Sequence, residues 1–238
     1  MTIPRHLHRV WLGGAEMPAD YVRWGEQWKD LHPHWEHTLW TDETIPDGPL
    51  LSERLRTANV QGRADLVRLE LLHRFGGVYV DCDVEPVRCI DPLLDDLATK
   101  HVRAFAGSED GVLVSTAVLG AEPEHPLLAD CMRLLPGWTL AHADRTTDLQ
   151  SGPQFLSAVV WDRIARGEEG IEVFPPAAFY PYHYYELERS TQTFPDAWAI
   201  HHWGSFRRPE LSWRTAEQFA DDERRAREWR DSRTEGCV

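Results

Sequence analysis

A chain of 238 residues, 42% of them apolar and 27% charged, has a globular composition and enough length for a core that needs no disulfide or metal staple. Its 25 basic and 39 acidic side chains leave a net charge of −14, which repels phosphate backbones and anionic membrane surfaces alike. General binding to nucleic acid or to a charged membrane is therefore excluded, while a phosphate reached through a metal ion or a local patch is not.

The opening MTIPRHLHRVWLGG lacks the apolar core of a signal peptide. It carries a short strand, His8 to Leu12, closed by Gly13-Gly14. Tyr21 to Leu31 reads as a helix ended before Pro33, and His37 to Trp40 as a second strand. Gln61 to Phe75 is the clearest helix, stopped by the glycine pair Gly76-Gly77. Gly77 to Val80 follows as a buried strand that ends in Asp81-Cys82-Asp83. Asp95-Asp96 and Asp221-Asp222 read as helix positions. Strands are expected over Arg103–Ala106 and Val112–Leu119, and helices over Pro126–Leu135 and Pro153–Ile164. Phe174 to Tyr185 is rich in proline and tyrosine and reads as a wall or loop. Trp198 to Trp203 is a last strand, and Ala216 to Arg230, within about 214–230, a charged peripheral helix.

Strands alternating with helices predict an α/β fold with a largely parallel sheet, expected here as one domain over 1–238. Ligands of such sheets sit at the carboxyl ends of the strands, where Asp81-Cys82-Asp83 falls. The cysteines Cys82, Cys89, Cys131 and Cys237 form no CxxC pair and read as free thiols of a reducing compartment. No apolar run approaches the roughly 18 residues of a membrane span, so the expectation is a cytoplasmic protein with no transmembrane segment.

On the helix Gln61 to Phe75, a turn of 100° per residue puts Leu69, Leu71, Leu72 and Phe75 on one apolar arc. Glu70, His73 and Arg74 fall outside it, whereas Asp65 and Arg68 point inward with the leucines. An ion pair on a solvated helix face adds only a few tenths of a kcal/mol, and inward charges are costly unless paired or liganded. Asp81 and Asp83 alternate onto one side of their strand, with Cys82 on the other. Two carboxylates so close call for a cation, and hard oxygen ligands suit Mg²⁺ or Mn²⁺. In Ile200-His201-His202-Trp203, alternation lets one histidine face that site while the other packs. His32, His34 and His37 read as surface or packing residues.

The order IPRHLHRVWLGG, RADLVRLELLHRFGGVYVDCDVEP, SGPQFL, AIHHWGSFR resembles the DXD-containing sugar transferases. That family includes capsular polysaccharide and yeast mannosyl transferases, α-galactosyl and α-N-acetylglucosaminyl transferases and, more distantly, the clostridial glucosylating toxins. The resemblance implies a GT-A-like, Rossmann-like domain and transfer of a hexose from a UDP- or GDP-sugar to an acceptor hydroxyl, with retention. The acceptor expected is a saccharide, a lipid-linked molecule or a small natural product. Asp81, Asp83 and His201 are implied as ligands of Mn²⁺ or Mg²⁺. Asp65, Arg68 and Asp81 are implied as donor-sugar and catalytic contacts, and His8 and Trp11 as part of the donor pocket. Gln154 is implied as a catalytic residue on the acceptor side. Ser115 or Thr116 stands where many relatives carry an asparagine. Two rival readings are a haloacid-dehalogenase-type phosphohydrolase and a non-catalytic nucleotide-sugar-binding module. The first meets Glu85 where its motif expects Thr or Val, and the second has no need of the DxD, Arg68 and the late histidine together.

Overall fold

The computed structural model describes residues 2–46, 59–143 and 150–208, with isolated positions beyond 208. Among these residues six strands form one sheet in the order β2-β1-β3-β6-β5-β7: β1 His6–Val10, β2 Glu36–Trp40, β3 Gly77–Val80, β5 Ala104–Ser108, β6 Val114–Ala121 and β7 Ile171–Phe174. β1 runs parallel to β2 and β3, and β5 runs parallel to β7; β6 is antiparallel to both β3 and β5. A small antiparallel sheet pairs β4, Val84–Pro86, with β8, Ala199–His201. The α-helices given bounds among the described residues are α1 Ala19–Leu31, α2 Val60–Phe75, α3 Asp91–Thr99, α4 Pro126–Ala141, α5 Pro153–Ala165 and the single turn α6 Gly204–Arg207.

Strand alternation divides the core into two layers. Tyr79 and Leu119 face one cluster with Leu69, Leu72, Leu128 and Phe155 of α2, α4 and α5. Val78, Val80 and Val118 face the other, with Trp28 of α1, Leu93 and Leu97 of α3, and the aromatic loop Phe179, Tyr180 and Tyr182. Sheet faces covered on both sides are what continuous apolar strands such as Gly77 to Val80 require. The fold is the mostly parallel, helix-flanked α/β sheet expected, with β6 as its reversed strand.

Most elements fall within two or three residues of the expected ranges, but four findings differ. α4 continues past Leu135 and through Pro136 to Ala141. Two strands, β4 and β7, go unread in the sequence because they are short and lack strict alternation. Glu70 is buried rather than outward, with its Oε1 3.8 Å from Arg74 Nη1, on a helix that packs against α4 as well as against the sheet. The aromatic stretch is split: Phe179, Tyr180 and Tyr182 are core, while His183, Tyr184 and Tyr185 are half-buried. The peripheral helix read over Ala216 to Arg230 lies outside the described residues apart from isolated helical positions.

α2 is the element that delivers the inward charges. Asn59 caps it by accepting from the Gly62 N–H at 2.8 Å, and it ends at Gly76, whose φ is +62°. Gly77 follows at φ +95°, and a Cβ there would lie 2.4 Å from the His6 carbonyl of the neighbouring strand. That close approach is how the helix turns directly into β3 and sets the register that carries Asp81. Gly77→Ala combines a left-handed backbone with this clash, so it should destabilise the protein by at least about 2 kcal/mol in urea unfolding. An unchanged midpoint would contradict this account of the turn.

Candidate active site

Arg68 is almost fully buried on α2 and reaches three partners besides its own helix. Nη1 donates to the Thr116 carbonyl of β6 at 2.7 Å and lies 3.1 Å from Asp81 Oδ1. Nη2 lies 3.3 Å from Asp65 Oδ1, one turn earlier on the helix. Its guanidinium also sits over the Tyr79 ring at 4.7 Å, and the Tyr79 hydroxyl donates to Asp81 Oδ1 at 2.6 Å. Burial alone would lower the Arg68 pKa, but Asp81, Tyr79 and Asp65 outweigh it and raise it, so the charge is retained. Asp65 is equally buried, and its Oδ2 accepts from the Ser151 hydroxyl at 2.8 Å.

Asp81 and Asp83 occupy the turn between β3 and β4. The Asp81 N–H donates to the Ala117 carbonyl, and the Val84 N–H donates back to the Asp81 carbonyl. Cys82 points away into a pocket of Tyr21 and Trp24. The pairing of β4 with β8 then decides which histidine arrives: Val84 stands opposite His201, so His201 Nε2 lies 3.3 Å from Asp83 Oδ2. His202 faces the other way. It stacks on Trp24 at 4.5 Å, and its two ring nitrogens meet Glu85 at 2.7 Å and the Tyr182 hydroxyl at 2.8 Å. The Gly204 N–H caps Asp83 Oδ2 at 2.6 Å, in a space so narrow that a Cβ on Gly204 would lie 2.9 Å from that oxygen.

Burial raises the Asp83 carboxyl, but His201 and the Gly204 N–H more than reverse this and hold it at about 2. For His201, burial favours the neutral ring, yet Asp83 prevails and its pKa is raised above the ordinary 6.5. One ligand atom from each of Asp81, Asp83 and His201 lies within 4.8 Å of the others. Asp65 and Asp81 meet the Arg68 guanidinium and Asp83 meets His201, so the cluster is net negative whether His201 is neutral or protonated. Two hard oxygens with one imidazole fit a divalent cation of the Mg²⁺ or Mn²⁺ kind.

The other residues singled out in the sequence lie around this cluster to different degrees. Trp11 follows β1, half-buried and edge-on to Tyr21 at 6.0 Å, with its Nε1 donating to the Ala15 carbonyl at 2.7 Å. Gln154 is exposed in the first turn of α5, three residues beyond Ser151. His8 is fully buried and contacts Gly76 and Trp40 through its two ring nitrogens, at 2.9 and 3.1 Å. Burial, aided by His6, pushes its pKa down to about 4. Both of its ring nitrogens are thus engaged within the fold in this structure. His32 is a packing residue, bonded to Trp28 and Ile90.

Four contributors escape the sequence reading. Tyr79 shares a face with Asp81 two residues on, a signal that alternation offered. Ser151 directly precedes the Gly152-Pro153 turn. The Thr116 carbonyl and the Gly204 N–H are backbone groups that side-chain chemistry does not advertise.

Residues 18–99 match the family described as glycosyltransferase sugar-binding region containing DXD motif, a span that includes Asp65, Arg68, Asp81 and Asp83. The chain is 32% identical over 225 residues to inositol phosphoceramide mannosyltransferase 3 of Schizosaccharomyces pombe, covering 86% of this chain and 61% of that one. It is 30% identical over 144 residues to the human lactosylceramide 4-alpha-galactosyltransferase, covering 52% and 36%. The chain thus spans less than two thirds of the length of these curated relatives. Among solved structures, the PaToxG glycosyltransferase superposes with a TM-score of 0.57 at 13% identity, over 69% of this chain and 71% of that one, a likeness of fold.

These relatives overturn the cytoplasmic expectation, because the ceramide-glycosylating enzymes among them are Golgi-located. The physical reason for the misreading is plain. Among the described residues Cys82, Cys89 and Cys131 are free, and the burial of Cys82 and Cys131 keeps a thiol inert whatever the compartment's redox poise. No helix among the described residues is long and apolar enough to cross a membrane. The helix Asp and Arg, the glycine pair and the DxD turn all fall within residues 18–99, the span that matches the DXD-containing sugar-binding region of glycosyltransferases.

Proposed function

We propose that the chain is a divalent-metal-dependent hexosyltransferase that moves a sugar from a UDP- or GDP-sugar to an acceptor hydroxyl, with retention of anomeric configuration. The observation that carries this reading is the junction at Asp81. One oxygen of that carboxylate meets Arg68 and Tyr79, and the same residue belongs to the acidic pair beside His201. A sugar-hydroxyl site and a diphosphate-metal site therefore share a wall.

Asp81, Asp83 and His201 would hold Mn²⁺ or Mg²⁺, and the ion when bound supplies positive charge opposite the departing diphosphate. The chain's own groups do the rest. Asp65 and Arg68 hold donor hydroxyls, and because both are buried and mutually paired they keep one geometry before the donor arrives. The Trp11 ring, fixed by its bond to Ala15, lines the base and ribose pocket. Gln154, at the exposed start of α5, faces the acceptor side. The departing phosphate accepts the proton of the attacking hydroxyl on the same face of the sugar.

Relatives named for inositol phosphoceramide and lactosylceramide support a lipid-linked acceptor. The phosphohydrolase reading has no such support: Glu85 follows Val84, and Asp95 and Asp96 lie within α3 instead of at a strand end.

Two outcomes test the proposal. Nucleotide release from UDP-glucose, UDP-galactose, UDP-N-acetylglucosamine and GDP-mannose should be detectable for one donor with Mn²⁺ or Mg²⁺ and abolished by EDTA. Release unaffected by EDTA would remove the metal from the account. The product formed from an α-linked donor should show the α-anomeric proton coupling by NMR, and a β-linked product would overturn retention.

A further inference from the structure

The Ser151 hydroxyl makes a contact that transfer as described above does not use. It is buried and donates to Asp65 Oδ2 at 2.8 Å, across 86 residues of sequence. The opposite oxygen of the same carboxylate lies 3.3 Å from Arg68 Nη2, longer than the roughly 2.7–2.9 Å of a relaxed charge-assisted bond. Arg68 itself is drawn the other way, toward the Thr116 carbonyl at 2.7 Å and Asp81 at 3.1 Å. Asp65 is thus held between a neutral hydroxyl and a cation, slightly off the position that the cation alone would choose.

The segment bearing Ser151 is well anchored. The Gly152 carbonyl accepts from Leu156, Pro153 opens α5, and the Ser157 hydroxyl donates to the Pro153 carbonyl at 2.6 Å while accepting from the Val114 N–H at 2.8 Å. The Thr139 hydroxyl reaches the Gln150 carbonyl at 3.3 Å. A hydroxyl on so fixed a turn sets the rotation of the carboxylate it touches.

We infer that Ser151 is a positioning residue for the donor sugar: it keeps the Asp65 carboxylate turned away from full pairing with Arg68, so that both groups stay set for sugar hydroxyls. The inference rests on the assignment of Asp65 and Arg68 to the donor sugar made above. Without the hydroxyl, Asp65 rotates into a tighter pair with Arg68, whose guanidinium stays held by Asp81 and the Thr116 carbonyl. The nucleotide and diphosphate contacts lie outside this triad and are left unchanged.

A mere tie between α2 and α5 makes a different forecast, since loosening it would weaken nucleotide and sugar binding together. The test compares wild type, Ser151→Ala and Ser151→Thr, using the four donors named above for turnover and UDP and GDP with Mn²⁺ as sugarless probes for binding. Ser151→Ala should bind the nucleoside diphosphate as wild type does, which also certifies its fold, and lose about tenfold or more in kcat/KM for the sugar donor. Ser151→Thr, which keeps the hydroxyl, should recover most of that loss. Ser151→Ala turnover within about twofold of wild type, or an equal loss for nucleoside diphosphate and sugar donor, overturns the inference alone. Wild type inert toward all four donors overturns the transferase reading, and the inference with it.

Discussion

A buried guanidinium is the constraint on which the site depends. Arg68 sits on the apolar side of α2, where an unpaired charge is very unfavourable. The chain resolves this by bringing one carboxylate from the same helix, one from the end of β3 and a carbonyl from β6 to the same guanidinium. Each partner is thereby fixed relative to the others. The helix, the parallel strand and the reversed strand meet at one residue, and the fold and the site have a common cause.

The side of the cluster proposed to hold a metal has a separate origin. β4 and β8 are only three residues long each, yet their register sets His201 beside Asp83 and turns His202 toward Trp24 and Glu85. The Gly204 N–H then caps the Asp83 carboxylate. Segments more than a hundred residues apart are brought together by a two-stranded ribbon, and Asp81 links them to the Arg68 network through Tyr79 and the shared turn.

How much of this could be read beforehand follows the range of the interaction. The 3.6-residue period of α2 sufficed to turn Asp65 and Arg68 inward, and the two-residue period of β3 to set Asp81 with Asp83. Both are local geometry. The same helix reading failed for Glu70, whose burial is a tertiary fact absent from the period. Alternation alone left His201 and His202 equivalent; resemblance to the family favoured His201, and the β4–β8 register is the physical reason that it faces Asp83. Ser151 stands in the SGPQFL block and Thr116 near the strand position of the family asparagine, but the bonds of the one to Asp65 and of the other's carbonyl to Arg68 are long-range contacts that no local period encodes. The family opening implies a donor contact at His8, and the structure places both its ring nitrogens in bonds to Gly76 and Trp40, which the opening motif does not reveal.

The most direct measurement is Mn²⁺ binding to wild type and Asp83→Asn by calorimetry, at several pH values and in buffers of different ionisation heat. Asp83 is ionised above about 2, whereas His201, with its pKa raised above 6.5, must release a proton before its nitrogen can bind a cation. Wild-type affinity should therefore rise with pH through the raised His201 pKa, with proton release on binding. Asp83→Asn, which removes a ligand charge with little change in volume, should bind at least about tenfold more weakly. Equal affinity in the variant, or binding indifferent to pH and free of proton release, would contradict the assignment of Asp81, Asp83 and His201 to the metal and with it the central claim.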